Sequence, residues 1–270
     1  METSLQPRWR PAAAIRLSFA FHAAGAAGLL IAPGAWPWIV GALAGNHAVL
    51  AVAGLFPRSR ILGQNMLRLP AAAIARRECA ITFDDGPNPE VTPAVLDILD
   101  RYRVKASFFC VGCRAAAHPE LVREIARRGH SVENHSNAHS GAFGFFGPWR
   151  LRRELEAAQR TLAGLAGSPP QFFRAPMGIR SPMLDPVVSR AGLRYISWTR
   201  RGFDTVTPDP RTVLDRLTRN LAAGDILLLH DGRPVIASKG RPVVLEVLPA
   251  LLERVLAAGL KPVTLPTAMQ

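Results

Sequence analysis

Two histidines four residues apart, His135 and His139 in the run His-Ser-Asn-Ala-His, can reach one ion from one side of a helical turn. Histidine pairs at that spacing are common on surfaces, so the pair alone is a weak sign of a metal. A carboxylate strengthens it. Asp84 and Asp85 follow the apolar run Cys79-Ala-Ile-Thr-Phe83 and precede Gly86-Pro87. If Asp85 joins the histidines, the set becomes two imidazoles and one carboxylate, with coordination positions left open for water and substrate. Asp84, pointing elsewhere, stays free. A free carboxylate beside a metal-bound water can take its proton, because a divalent ion lowers that water's pKa from 15.7 towards about 7. By itself, Asp-Asp-Gly-Pro is equally an ordinary turn with a helix cap.

The elements that must position these groups are visible in the hydrophobic pattern. Strands are expected over 79–83, 106–111, 130–134, 172–175, 193–198, 225–230 and 261–265. Helices are expected between them over 93–102, 119–128, 151–165, 182–191, 210–221 and 243–258, several closed by glycine, as at Gly129 and Gly259. Such alternation implies a parallel sheet, open or closed into a barrel, with chemistry gathered where the strands end. Asp84, Asp85, His135, His139, Arg174, Met177, Asp204 and His230 all fall at such ends.

The first 60 residues read differently. Residues 11–31 and 36–56 are apolar runs of about the 20 residues a helix needs to cross hydrocarbon. Arg16 lies near the end of the first run and can snorkel, Ala-Pro-Gly-Ala makes a turn, and Trp36 and Trp38 sit at interface depth. A second apolar run directly behind the first disfavours a cleavable leader, and an interfacial or re-entrant insertion is the other alternative to a spanning pair. Arg8 and Arg10 precede the pair, and Arg58, Arg60, Arg68, Arg76 and Arg77 follow it, whereas the turn carries no base. The positive-inside rule then puts both ends in the cytoplasm of a cell whose inner membrane the hairpin spans. His22, Asn46 and His47 within the runs are read as helix-to-helix hydrogen-bonding groups, with a polar site in the bilayer as the alternative. The organisation expected is a membrane hairpin over 1–60, a linker over 61–78 and a catalytic domain over 79–270.

Composition limits the partners. The chain has 270 residues, 49% of them hydrophobic, which excludes a disordered tail or a fibrous repeat. The net charge is +13, and all but three of the 33 basic residues are arginine, so anionic partners are expected. The arginines are dispersed and lack interleaved stacking platforms, so nucleic acid is not an expected partner. Cys79, Cys110 and Cys113 are too few for a disulfide framework and read as buried small hydrophobes, with a redox pair as the alternative.

In their order and intervals, Thr82-Phe83-Asp84-Asp85-Gly86, His135-Ser136-Asn137-Ala138-His139, Arg174-Ala175-Pro176-Met177-Gly178 and Leu228-Leu229-His230 resemble the motifs of polysaccharide deacetylases of the NodB-homology type, carbohydrate esterase family 4. The resemblance spans residues 79–266 and implies an α/β fold, a distorted (β/α) barrel of about seven units. It implies that Asp85, His135 and His139 hold a divalent metal, usually zinc, with cobalt or nickel possible. It further implies that Asp84 is the general base, paired with Arg174, and that the Met177 backbone N–H helps hold the oxyanion. Leu228 would line the pocket for the acyl methyl, and His230 would be the general acid, its pKa raised by Asp204. Two positions depart from the pattern. Met177 stands where tyrosine is usual, and Thr205 where an aromatic residue commonly follows, which reduces the sugar-stacking surface but removes no ligand, acid or base.

A catalytic domain facing the cytoplasm meets lipid-linked sugars rather than exported polymers. The expected substrate is therefore an N-acyl amino sugar, acetylated or formylated, on a polyprenyl phosphate or another anionic glycolipid. A deacetylase of soluble or exported polysaccharide is the alternative, and a membrane-tethered module binding anionic lipid or nucleic acid is the alternative from a different class. The aromatic insert from Phe143 to Trp149 either flanks the active-site mouth beside Arg150, Arg152 and Arg153 or packs beneath the following helix. The topology predicts that a reporter fused after Gln270 works in the cytoplasm; activity confined to the periplasm would reverse it.

Overall fold

The computed structural model describes residues 9–238 and 240–270; Arg8, counted above among the flanking arginines, lies outside them. Among the described residues eight strands form: β1 (Glu78–Asp84), β2 (Ser107–Cys110), β3 (Ser131–Asn134), β4 (Phe172–Phe173), β5 (Arg194–Tyr195), β6 (Arg200–Arg201), β7 (Ile226–His230) and β8 (Lys261–Pro262). Their ladders are all parallel, in the order β5-β4-β3-β2-β1-β7-β6, with β8 beside the start of β1. The sheet curls into a distorted (β/α) barrel, as expected. Between β5 and β6 the chain itself bridges the gap, and residues 66–69 run along it. Met66 N–H donates to Tyr195 O at 3.1 Å, Ser197 N–H donates to Met66 O at 3.0 Å, and Thr199 Oγ1 donates to Leu67 O at 2.6 Å.

Period-two alternation decides which side chains enter the barrel. Along β1, Cys79, Ile81 and Phe83 face the outer helices, whereas Ala80 joins Phe109, Phe172, Ile196 and Ile226 inside. The same register turns Leu227 and Leu229 of β7 outward, which leaves Leu228 and His230 on the barrel side. Thr82 and Asp84 face inward by the same rule, so a polar pair at the end of an apolar strand is delivered to the barrel mouth. Burying the outer face under helices such as Thr92–Arg101 and Val243–Ala257 supplies the main stabilisation, about 1.5–3 kcal/mol for each fully buried large apolar side chain.

The alternation missed β6, a two-residue strand too short to carry a period, and the helix Gly112–Ala117, whose Gly-Cys start has no capping side chain. Residues 61–78, read as a linker, are packed: Leu62, Leu69 and Ala73 are buried, and Glu78 already belongs to β1. The aromatic insert divides between its two readings. Phe143 and Phe146 are buried beneath the Pro148–Ala166 helix, while Phe145 and Trp149 are 81% and 68% exposed. Cys79 and Cys110 are buried small hydrophobes, but Cys113 is exposed, and the three form no disulfide.

At the N-terminus, α1 (Ala13–Ile31) and α2 (Trp36–Leu55) are two helices long and apolar enough to cross a membrane, joined by a tight turn at Pro33–Ala35. Gly25 and Gly28 let α1 approach Ile39 and Leu43 of α2 closely. Polar groups inside the pair satisfy one another: Asn46 Nδ2 donates to Ser18 Oγ at 2.8 Å, and His22 Nε2 lies 3.1 Å from His47 Nε2. Helix-to-helix hydrogen bonding therefore accounts for these residues.

Candidate active site

Parallel register sets Asp84 of β1 directly beside His230 of β7, and the loops after β1 and β3 bring the remaining groups over the same barrel end. Asp85, His135 and His139 each present one ligand atom, and these atoms lie within 4.8 Å of one another. His139 Nε2 is 2.8 Å and His135 Nε2 3.3 Å from Asp85 Oδ1. The N, N, O donor set fits a small divalent ion with open coordination positions. His135 Nδ1 lies 2.8 Å from Arg174 O, which fixes the tautomer with hydrogen on Nδ1 and leaves the Nε2 lone pair for the cluster.

The histidines do not converge from a helical turn, as their spacing suggested. They come from an irregular loop in which Ser136 and His139 both adopt positive φ, of 64° and 48°, as does Asp85 at 72°. Backbone strain of this kind persists only where the surroundings impose it. Three side chains that the sequence did not single out do so. Glu154, nearly buried on the Pro148–Ala166 helix, accepts from the N–H groups of Asn137 and Ala138 at 3.1 and 2.9 Å. Asn134 Oδ1 accepts from Ser136 N–H at 3.0 Å. Arg114 Nη1 donates to Asp85 O at 2.6 Å and to Gly232 O at 2.8 Å, tying the Asp85 loop to the segment after His230. Gly232 is required there, since a Cβ would fall 1.9 Å from Asp85 O.

Asp84 stays outside the cluster. Its Oδ1 accepts from Arg174 Nη1 at 2.6 Å, and its Oδ2 lies 3.8 Å from His135 Nε2, facing the ligands. Arg174 is fully buried, sits 4.1 Å over the Phe109 ring, and also donates to Thr82 Oγ1 and Ser197 O at 3.0 and 2.9 Å. Across the mouth, the Asp204 carboxylate holds His230 at two points: Oδ1 accepts from ring Nδ1 at 2.9 Å and Oδ2 from the backbone N–H at 2.8 Å. Burial opposes the imidazolium, yet the Asp204 charge and hydrogen bond, with Asp84 and Asp85, outweigh it and raise the His230 pKa above its ordinary value.

Met177, in the loop after β4, has a φ of 56° and is 41% exposed. Leu228, buried and paired with Thr82, lies two residues before His230 on the barrel side. Asp231, a further buried acid, accepts from Thr92 Oγ1 at 2.5 Å, and burial pushes its carboxyl up to about 7. Asp84, Asp85, His135, His139, Arg174, Asp204 and His230 thus gather at one barrel end, whereas Glu154, Arg114 and Asp231 carry no local signature that spacing alone would reveal. Because Glu154 fixes the loop between the two histidines, Glu154→Ala should weaken metal affinity about 10–100-fold, measured by chelator competition; unchanged affinity would show that the loop holds itself.

Comparison with known proteins agrees with this geometry. Residues 73–196 match the family model described as polysaccharide deacetylase. The chain is 34% identical over 166 residues to a chitooligosaccharide deacetylase of Sinorhizobium fredii, covering 62% of this chain and 77% of that protein. It is 33% identical over 155 residues to a peptidoglycan-N-acetylglucosamine deacetylase of Bacillus cereus, covering 57% and 72%. The solved structure of the Bc1960 peptidoglycan N-acetylglucosamine deacetylase superposes with a TM-score of 0.67 at 26% identity, covering 75% of this chain and 91% of that one. A barrel mouth holding two imidazoles, two aspartates and a histidine–aspartate pair, in a sequence this similar to those enzymes, means that the chain belongs to the polysaccharide deacetylases of the NodB-homology type, carbohydrate esterase family 4.

Proposed function

We propose that this carbohydrate deacetylase is metal-dependent and removes an acetyl or formyl group from an amino sugar carried on a polyprenyl phosphate or similar anionic glycolipid, at the cytoplasmic face of the inner membrane. The observation that carries the chemistry is the division of the two aspartates, with Asp85 among the imidazoles and Asp84 held by Arg174 at 2.6 Å. The lipid part rests on the two apolar helices, the exposed Phe145 and Trp149, and the arginines beside them.

Asp85, His135 and His139 would hold the ion, zinc on its preference for this donor set, with cobalt or nickel as substitutes. Bound there, the ion supplies Lewis-acid polarisation and an acidified water. The chain's own groups move the protons. Asp84 takes one through Oδ2, the oxygen not occupied by Arg174, as water attacks the acyl carbon. The Met177 N–H is the backbone donor for the oxyanion. Collapse breaks the C–N bond, and His230 delivers a proton from Nε2 to the departing amine while Asp204 retains Nδ1–H. Leu228 lines the space for the acyl methyl. The products are a carboxylic acid and a free amino sugar.

A second reading, hydrolysis of a polymeric or soluble oligosaccharide, is favoured by the names of the relatives, which are chitooligosaccharide and peptidoglycan deacetylases. Incubating the zinc-loaded protein with an N-acetylhexosaminyl polyprenyl phosphate and, separately, with a chitooligosaccharide decides between them: acetate from the second alone would refute the lipid reading. Lipid mass spectra from cells with and without the protein would then name acetyl or formyl by the mass lost. Asp84→Asn and His230→Ala should each lower kcat about 10²–10⁴-fold with metal content retained. His135→Ala should abolish turnover yet leave glycan binding, whereas a wild type without turnover would make the chain a binding module. With the His230 pKa raised, activity should hold above the ordinary histidine range and fall as pH rises through that raised value. Asp204→Asn removes the stabilising charge while burial remains, so the alkaline limb of kcat/KM should move to lower pH; an unmoved limb would exclude His230 as the acid.

A further inference from the structure

Both feet of the helical hairpin stand on one segment of the catalytic domain, which begins at Met177 and runs into the first turn of the Leu184–Arg190 helix. Ahead of α1, Trp9 Nε1 donates to Asp185 Oδ2 at 2.7 Å. At the end of α2, Gly54 O accepts from Arg180 N–H at 2.9 Å, and a Cβ on Gly54 would lie 2.2 Å from Arg180 O, so the helix is seated directly on the backbone. Pro57 extends the contact: a Cβ on Gly178 would meet Pro57 Cβ at 2.6 Å, and Pro57 O accepts from Ser197 Oγ at 2.6 Å. Arg180 anchors the loop from within, buried, 4.1 Å over the Tyr195 ring and 3.5 Å from Asp185.

This seating fixes the depth of the active-site mouth. The apolar surface of α2 runs to Leu55 and Phe56, both more than half exposed, and Arg10, Arg16, Arg58 and Arg60 are exposed around the same end of the hairpin. A change from apolar side chains to arginines marks the headgroup level of a bilayer. Gly178, in contact with Pro57 at that level, is the residue after Met177. The loop's exposed large side chains are Met177 and Met183, at 41% and 52%, and flexible thioethers adapt to disordered acyl chains.

We propose that the segment from Met177 to Asp185 is a lipid-contacting surface that holds the catalytic mouth against the bilayer, so that the preferred substrate bears its N-acyl group on the sugar next to its lipid anchor. This rests on the membrane reading given under the proposed function and names the part of the domain that meets the membrane. The occupant is the bilayer itself, because the surface is continuous with the ends of two helices that the bilayer must cover.

The test uses the full chain in nanodiscs containing phosphatidylglycerol. With the exposed thiol removed by Cys113→Ser, an environment-sensitive fluorophore is attached at Met183→Cys and, as a reference, at Leu256→Cys on the outer Val243–Ala257 helix. Spin-labelled lipid should lower emission about twofold or more at position 183 and leave position 256 unchanged, with aqueous iodide giving the opposite order. Iodide quenching at 183 equal to that at 256, with no effect of labelled lipid, would overturn the proposal. In wild-type nanodiscs, kcat/KM should be higher for a lipid-linked monosaccharide than for the same N-acyl sugar at the end of a lipid-linked oligosaccharide; equal values would overturn the substrate preference. The quenching result requires no turnover, so hydrolysis of soluble oligosaccharide alone would refute the glycolipid assignment while lipid contact at 183 remained.

Discussion

The buried ion pair between Arg174 and Asp84 is the contact on which the site depends. Arg174 has no exposure, and its guanidinium is shared among Asp84, Thr82 and the Ser197 carbonyl, while its own carbonyl orients His135. One residue therefore sets the free carboxylate and one imidazole of the cluster together. Removing either member of such a pair strands a charge in a dry interior, which typically costs 3–5 kcal/mol. The barrel accommodates the arginine between Phe109 and Trp198, whose ring faces favour a cation. Its Nε has no hydrogen-bond partner among the described residues, the expense of packing a planar fork among aromatics.

Around that pair the fold separates two jobs that adjacent residues would otherwise share. Asp84 ends a strand and inherits the inward direction that period-two alternation gives it. Asp85, one residue later and at positive φ, leaves the strand and turns to the histidine loop. Gly86 and Gly232 make the turn possible because the Asp231 carboxylate and the Asp85 carbonyl occupy the space a side chain would need. His230 faces Asp84 across a parallel ladder, so the proposed acid and base sit on neighbouring strands, the most rigid elements available.

The apolar helical hairpin and the catalytic domain are one structure rather than two units on a flexible tether. Segment 66–69 completes the barrel wall, and Pro57 packs on Gly178 and accepts from Ser197. Displacing the hairpin would disturb the loop bearing Met177.

The sequence by itself determined the strand and helix alternation, the apolar helices, and the identity of nearly every group at the mouth, because apolar period, glycine stops and the four motifs are local signals. It left the rest to tertiary structure. Histidine spacing suggested a helical turn, but Glu154 and Asn134, one of them from a distant helix, impose an irregular loop. Residues 61–78 read as a linker because Leu69 and Ala73 are buried among Phe109, Phe172 and Ile226, far along the chain, while Leu62 packs on Leu50 and Ala53 of the second helix. Phe143 and Phe145 are of one type and two positions apart, yet one is buried and the other exposed, a choice made by the Pro148–Ala166 helix above them. Long-range contacts are absent from any local window, so only the folded chain could decide these points.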